Sequence, residues 1–581
     1  MQKTEKIVFA SLLLFLLLPN LVGVCVAQDL KSIGQRIIYL LTSLSFYGIG
    51  LCLWKRRTFF YVASAGLLFS AIELVHLIIN QATTSLLFVF TIIKSEKQEF
   101  LELCSTYWPL LFVFITLWAV YYYLNRTFIR QAYLFEHKPL RYVLLGVQVA
   151  FLVVCAVGLK LRPKFRNEFA WQDADIRTAA WVGAEKACPV NFVLVVYHLC
   201  DMAYKIQCQN ERLRDFTFGA EMRETDACAP IIVLMIGETS RYDHWQVNGY
   251  CRETSPRLMA RGIISFDSCF TVANLTTVSV PFMLSRATPD NQALYTEEKS
   301  VVDAFHEAGY QTTWIADQSF NNHFLLRIAE SCDNTHYVAA RKNEQLLDTM
   351  LLAPLRTLLT GGGQFSSAKK QFVVLHSLGC HFKYSERYPD EFQKFTPDMK
   401  GMNIHVLMPD FDSIAQGVRL NDKANSPALV RNVKKVLVNS YDNAILYTDY
   451  VIDSVIQMLE DTQRPALLLY VSDHGENLMD DERHMLLHGT YAGSIYEYHV
   501  PLFVWMSDAY KARYPDKADA IQQNVHKKMT TMNLFHSLLN LGNIYIPDMD
   551  CYQCIDNPDM VSKDTIYTID ANMHVVPLQY R

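Results

Sequence analysis

Two apolar runs, far apart in the chain, end in the same way. No other feature limits the possible folds so tightly. Ile231-Ile-Val-Leu-Met-Ile236 stops on Gly237, Glu238, Thr239, Ser240 and Arg241. Ala466-Leu-Leu-Leu-Tyr-Val471 stops on Ser472, Asp473, His474, Gly475, Glu476 and Asn477. A run of this kind with no polar break reads as a strand buried on both faces, the habit of parallel sheets covered by helices. Groups placed where such strands stop lie at the carboxyl edge of the sheet, where open α/β folds put their ligands. Both runs deliver metal-ligand side chains to one edge, so the fold itself would build a metal site.

The surrounding pattern agrees. Strands are expected at 230–236, 263–268, 311–316, 371–376, 466–471 and 500–505, with helical stretches between them, notably 298–308 and 430–460. In the latter, Tyr441, Ala444, Ile445, Ile452, Val455, Ile456 and Leu459 recur on one helical face, interrupted only by Thr448. This alternation implies a largely parallel sheet covered on both sides, an α/β domain over 228–581. The long polar loops between 378 and 428 suit a substrate-facing surface.

The first 160 residues are different. Five segments approach the ~20 apolar residues that span a bilayer: about 6–27, 36–54, 58–80, 107–125 and 142–160. The first also has the form of a signal peptide, with Lys3 and Lys6 ahead of its apolar core; an uncleaved helix is the favoured reading. Basic loops should be cytoplasmic. These are Lys55-Arg-Arg57 and the loop with Arg126, Arg130, Lys138 and Arg141, so everything after residue 160 is expected outside. The cluster Lys160, Arg162, Lys164 and Arg166 is a mild violation of this rule, and its alternative role is contact with anionic lipid headgroups. Ser85–Ile93 is too short to span and is expected at the membrane surface. Glu73 and His76 fall inside the third segment, read equally as a polar pair between helices or as a headgroup contact. Residues 161–227 read as a bridge to the outer domain.

Net charge is only −5 over 581 residues, so nothing points to nucleic acid. Of fourteen cysteines, ten follow residue 185, an even number consistent with disulfides outside the cytoplasm. For Cys551-Tyr-Gln-Cys554 a local disulfide is favoured over a metal or redox role.

Glu238, Asp473 and His474 make a plausible zinc set, since zinc accepts carboxylate oxygen and imidazole nitrogen. A strand cannot aim the adjacent Asp473 and His474 at one ion, but a loop leaving at Gly475 could. A nucleophile is offered by Ala273-Asn-Leu-Thr-Thr-Val-Ser-Val-Pro281, where metal coordination would make a hydroxyl reactive. Thr276 is the first choice, with Thr277 and Ser279 as rivals; the bland alternative is a Ser/Thr helix cap. Asn274-Leu-Thr276 also matches a glycosylation sequon. His381, after the strand 371–376, and His488, in Leu487-His488-Gly489, could hold a second zinc or protonate a leaving oxygen. His244, His484 and His499 read as surface or core residues.

Taken together, these motifs resemble those of the membrane-anchored phosphoethanolamine transferases of the alkaline phosphatase/sulfatase superfamily. That group includes lipid A modifying and colistin-resistance enzymes. The matching stretches are Gly237–Arg241 with Asn248-Gly-Tyr250, Thr276 through Ser279-Val-Pro281, Leu378-Gly-Cys-His381 with Arg387-Tyr-Pro389, Ser472–Glu476 and Leu487–Gly489. The resemblance implies a five-helix transmembrane domain over 1–160, followed by a sulfatase-like α/β/α domain with a mainly parallel sheet. It implies that Glu238, Thr276, Asp473 and His474 hold the catalytic zinc and that Thr276 carries the phosphoethanolamine intermediate. His381 and His488 are then expected to serve the phosphoryl group or a second zinc, so the cofactor is one Zn²⁺ or two. It further implies a multi-pass protein of the bacterial inner membrane with its catalytic domain in the periplasm. The donor would be phosphatidylethanolamine and the acceptor lipopolysaccharide, either a lipid A phosphate or a core sugar, with membrane lipids around it.

There are departures. Members close to the resistance enzymes bracket the nucleophile with a cysteine pair; here Cys269 lies upstream but Phe282 follows Pro281. Cys380 stands where a small hydroxyl residue is commoner. The His-Phe-Lys-Tyr run at 381–384 looks more like members acting on core sugar. The competing readings are a membrane-bound sulfatase or phosphodiesterase of the same fold, with water as acceptor, and a non-catalytic periplasmic lipid-binding protein. No formylglycine motif supports a sulfatase, and the intact Glu238, Thr276, Asp473 and His474 argue against a decayed site.

Overall fold

The structure is a computed structural model. It describes residues 2–27, 30, 32–80, 83–84, 97–160, 182–223, 230–318, 323–338, 345–361, 370–401, 427–480, 486–489, 494–569 and 575–578, some helical positions by backbone alone. The chain divides into two compact units. One is Met1–Lys164 with Ala170–Tyr204; the other is Phe165–Phe169 with Lys205–Arg581.

The first unit is helical: α1 (Lys3–Val26), α2 (Ile33–Leu53), α3 (Arg56–Ser64), α4 (Leu67–Asn80), α5 (Lys97–Phe128) and α6 (Lys138–Lys160). All five expected spans fall on helix, yet the expectation of five spans needs correcting. Among the described residues three stretches are long and apolar enough to cross a membrane: Lys3–Val26, Ile33–Leu53 and Lys138–Gly158. The third expected span is broken at Ala65 and Gly66, which leaves α4 with 14 residues, about 21 Å of helix. The fourth lies within α5, where many side chains fall outside the described residues.

Polar contacts inside this unit tie the start of the chain to both basic loops. The buried Glu5 accepts the Arg130 N–H at 3.0 Å and pairs with Arg56 at 3.3 Å. The Arg56 backbone N–H donates to the Ala132 carbonyl at 2.8 Å, and Arg57 Nε donates to the Ile129 carbonyl at 2.6 Å. The first turn of α1 and the two loops therefore meet at one end of this unit. Glu73 accepts from Asn191 Nδ2 at 2.8 Å and from the Thr84 N–H at 3.1 Å, a polar contact with other segments of this unit. The His76 side chain, residues 85–93 and the cluster at 162–166 lie outside the described residues.

The second unit is built on a seven-stranded sheet: β1 (Ile231–Gly237), β2 (Ile264–Phe266), β3 (Gln311–Ala316), β4 (Asn334–Tyr337), β5 (Gln371–His376), β6 (Ala466–Ser472) and β7 (Leu502–Met506). The order is β2-β7-β6-β1-β5-β3-β4. The strands β6, β1, β5, β3 and β4 pair in parallel, while β7 is antiparallel to both its neighbours. The mainly parallel sheet is as expected. The short edge strand β4 was not anticipated, because its four residues are polar and half-buried.

Every residue of β1 and β6 is buried. Ile231, Val233 and Met235, with Ala466, Leu468 and Tyr470, pack into one core with the helix Pro427–Asp461. Its residues Tyr441, Ala444, Ile445, Ile452, Val455, Ile456 and Leu459 are all fully buried. The alternate residues face the other side, where Phe305 of the helix Val301–Glu307 stacks on Phe372 of β5 at 3.9 Å. Covering both faces is what permits unbroken apolar strands. Each Leu or Ile so buried is worth about 1.5–3 kcal/mol.

Candidate metal and phosphoryl-transfer site

Strand register sets the site. Gly237 of β1 lies opposite Ser472 of β6, and Ile236 opposite His376 of β5. Glu238, Asp473 and Ser377 therefore leave the sheet side by side at its carboxyl edge. The Thr239 N–H donates to Asp473 Oδ1 at 3.1 Å, and the His474 N–H donates to the same oxygen at 2.7 Å. Asp473 Oδ2 is left without a hydrogen-bond partner, 3.3 Å from His474 Nε2. The chain turns at Gly475, whose N–H donates to the Glu497 carbonyl at 2.8 Å, and a side chain there would run into the Tyr496 carbonyl. This sharp exit lets the adjacent Asp473 and His474 share one centre.

The tautomer of His474 follows from its partner. Nδ1 lies 2.9 Å from the Gly475 carbonyl, which can only accept, so Nδ1 carries the hydrogen and Nε2 presents its lone pair. That lone pair faces Glu238 Oε1 at 3.4 Å, Asp473 Oδ2 at 3.3 Å and Thr276 Oγ1 at 3.3 Å. Thr276 opens the helix Thr276–Met283, and its hydroxyl lies 3.1 and 3.3 Å from the two oxygens of Glu238.

Without a cation this arrangement is unfavourable. Burial, then the charge of Asp473, pushes the Glu238 carboxyl well above its ordinary range. Burial pushes the His474 imidazole down. Two carboxylates and a bare imidazole nitrogen, all buried, converge on one point. A tetrahedral zinc ion with bonds of ~2.0 Å has ligand-to-ligand edges of ~3.3 Å. Thr276 to Glu238, and His474 to Glu238, Asp473 and Thr276, are separated by 3.1 to 3.4 Å, the spacing such an ion asks of its ligands.

His488 joins the same cluster: its ring lies 4.1 Å from that of His474, and ligand atoms of Glu238, His474 and His488 all lie within 4.8 Å of one another. His381 stands farther out, with its ring 6.3 Å from that of His488. Its Nδ1 donates to the Phe382 carbonyl at 2.7 Å, leaving Nε2 as the acceptor. Burial pushes His488 down to about 4. Burial, with His488 adding to it, takes His381 down to about 3. Both imidazoles are neutral near pH 7.

Of the three candidate nucleophiles, Thr276 is the one recorded against Glu238 and His474 among the described residues. Thr277 is exposed, and Ser279 is fully buried inside the helix. Asn274 is also buried and donates to Glu497 at 2.9 Å, so its sequon is not open to a glycan. His244 is buried and pairs with Asp442 at 2.6 Å, and the half-buried His499 stacks on Tyr242; His484 lies outside the described residues. The expected local disulfide is not formed. Cys551 and Cys554 are both free, as are all the described cysteines, and the Cys554 thiol points to the Asp550 carbonyl.

Several contributors were not anticipated. Arg241 is buried, with both Asp243 oxygens at 2.8 and 2.6 Å, Asp480 at 2.6 Å and the Tyr496 ring at 4.2 Å, so it pins the segment that carries His474. Gln318 Nε2 donates to Glu238 Oε2 at 3.0 Å and to the Ser377 carbonyl at 2.6 Å. Asp348 accepts the Leu378 and Gly379 N–H groups at 3.2 and 3.1 Å. For Arg241 the signal was its place beside Glu238. Gln318 follows a strand that was read correctly.

The sulfatase family profile matches residues 230–544. The phosphoethanolamine transferase EptC of Escherichia coli (strain K12) is 26% identical over 490 residues, covering 81% of this chain and 77% of that protein. The Kdo(2)-lipid A phosphoethanolamine 7''-transferase of the same strain is 28% identical over 317 residues, covering 53% of this chain and 49% of that protein. Among solved structures, the C-terminal periplasmic domain of Escherichia coli EptC in complex with Zn is similar with a TM-score of 0.51. It is 25% identical, and the match covers 62% of this chain and 96% of that one.

Proposed function

Because the chain belongs to the sulfatase family, we propose that it is a zinc-dependent phosphoethanolamine transferase working through a phosphothreonine intermediate on Thr276. The observation that carries this reading is the Thr276 hydroxyl, 3.1 Å from Glu238 and 3.3 Å from His474 at the carboxyl edge of the sheet. A threonine hydroxyl is a poor nucleophile at neutral pH unless its surroundings activate it. The names of the similar transferases, and the zinc in the related EptC domain, support the same chemistry.

Glu238, Thr276, Asp473 and His474 would hold the ion, with His488 at its margin and His381 beyond. When bound, Zn²⁺ lowers the pKa of the hydroxyl and offsets charge on the phosphoryl oxygens. Thr276 gives up its proton, for which Glu238 Oε2 is the nearest acceptor, and its oxygen attacks the phosphorus of phosphatidylethanolamine. The bond from phosphorus to the diacylglycerol oxygen breaks, and diacylglycerol leaves after that oxygen takes up a proton. The proton that oxygen takes up balances the one Thr276 gave to Glu238; His488, against the His474 ring, is the imidazole placed to relay it, while His381, with Nε2 open as an acceptor, takes a hydrogen bond from the substrate. A phosphate or sugar oxygen of lipopolysaccharide then attacks the same phosphorus. The Thr276 oxygen is released and regains a proton.

Donor and acceptor are both lipids, which accounts for an apolar helical unit on the same chain. With the Glu5 end of that unit in the cytoplasm, the catalytic unit works in the periplasm of the bacterial inner membrane. The test is zinc analysis of the purified full chain, followed by diacylglycerol release from fluorescent phosphatidylethanolamine. Release is expected for the native protein and not for Thr276→Ala. A Thr276→Ala protein that releases diacylglycerol at the native rate would remove Thr276 from the mechanism.

A further inference from the structure

Glu238 is offered two ways to use its carboxylate, and one neighbour decides between them. The Oε1 atom faces His474 Nε2 at 3.4 Å. Oε2 takes hydrogen bonds from Thr276 Oγ1 at 3.1 Å and from Gln318 Nε2 at 3.0 Å. The second hydrogen of the Gln318 amide goes to the Ser377 carbonyl at 2.6 Å. The Ser377 carbonyl can only accept, so the amide nitrogen, not its oxygen, must face this pair. Both hydrogens are committed, and the side chain is held from two directions.

The backbone just before Gln318 is braced as well, with the Asp317 N–H donating to the His376 carbonyl at 3.4 Å. Asp317 is buried, and burial first, then the charge of Asp348, pushes its carboxyl well above the ordinary range. Asp348 in turn holds the Leu378 and Gly379 N–H groups. Gly379 sits directly against the Glu238 backbone, and the Cys380 N–H donates to the Glu238 carbonyl at 3.0 Å. Gln318 thus spans the ends of β1, β3 and β5 at the point where Glu238 leaves the sheet.

We propose that Gln318 is a positioning residue that holds Oε2 of Glu238 and leaves Oε1 to bind the metal alone. The inference rests on the reading of Glu238 as a metal ligand. In the first chemical step the hydrogen of Thr276 passes by way of Oε2 to the departing oxygen, and Thr276 then no longer donates to Glu238. Gln318 still holds Oε2, so the carboxylate does not swing to grip the ion with both oxygens or to chase the reacting phosphorus. Hydrogen-bonded partners of metal ligands commonly contribute 10- to 100-fold in metal affinity or activity, about the size of effect expected here.

The test compares full-length native protein with Gln318→Ala, Gln318→Glu and Gln318→Asn, each first checked by its thermal transition. Zinc affinity is measured by competition with a coloured chelator, coordination by the visible spectrum of the cobalt-loaded protein, and turnover with fluorescent phosphatidylethanolamine. Gln318→Ala should bind zinc roughly 10-fold more weakly, with an altered cobalt spectrum and a lower kcat at little-changed KM. Gln318→Glu should be worse, since it sets a third acceptor against Glu238 and the Ser377 carbonyl. Gln318→Asn, too short to reach both partners, should fall with the Ala variant. Folded variants with native zinc affinity and an unchanged cobalt spectrum would overturn the proposal. A native protein that binds no zinc would overturn it together with the metal reading. A native protein that binds zinc but releases no headgroup would overturn the transferase reading alone, with Gln318 then judged by affinity and spectrum.

Discussion

Gly379 tests how closely the catalytic loop is fitted to Glu238. Its φ is +48°, and a Cβ built there would sit 2.8 Å from Glu238 N and 2.9 Å from Glu238 O. Both obstacles are backbone atoms of a proposed metal ligand, so no side chain can swing aside. An L-residue in the left-handed region costs about 1–2 kcal/mol, and crowding a packed site adds about 1–3 kcal/mol. Gly379→Ala should therefore destabilise the protein by about 2–5 kcal/mol. Contacts between carbon and oxygen relax to about 3.3 Å, so either the loop or Glu238 must retreat by about 0.4 Å. A misplacement of 1 Å can cost about 100-fold in rate, which makes a loss near tenfold the expectation here. The control is Gly262→Ala, where φ is +60° but a Cβ would meet nothing within 4 Å. That change carries only the backbone term. Thermal unfolding in detergent and turnover of fluorescent phosphatidylethanolamine measure the two effects. The reasoning fails if Gly379→Ala loses no more stability than Gly262→Ala and keeps a native kcat.

Arg241→Ala removes the guanidinium from between Asp243 and Asp480 and strands a largely buried charge, so a loss of about 3–5 kcal/mol is expected. Arg241→Lys should recover only part of it, because an ammonium cannot grip Asp243 with two parallel bonds and also reach Asp480; equal stability of the two variants in thermal melts would contradict this. Zinc at one hundred times its dissociation constant should raise unfolding stability by about 2.7 kcal/mol, and chelation should abolish the gain. A melting curve unmoved by zinc and chelator alike would argue against a bound ion.

Much of this site was legible because burial on both faces leaves a strand no choice of residues. The runs 231–236 and 466–471 could be read as strands, and their polar ends as the ligand edge, before any partner strand was known. Sequence alone does not give register, yet register is what brings Gly237 level with Ser472 and so joins Glu238 to Asp473. Gln318 and Asp348 escaped for the same reason. Each is an ordinary polar residue at the end of a strand or the start of a short turn, and each acquires its role only from the order β1-β5-β3. His488 was one of two equally weighted histidines until the turn at Leu487, with φ of +63°, set its ring against His474. The third apolar segment misled because composition does not register the break at Ala65 and Gly66.

The most direct measurement is mass spectrometry of the Thr276 peptide after the purified zinc-loaded protein meets phosphatidylethanolamine without any acceptor. One phosphoethanolamine group on Thr276, lost when lipopolysaccharide is added, is the expected result. Diacylglycerol release with Thr276 unmodified, or with the group on another residue, would contradict it.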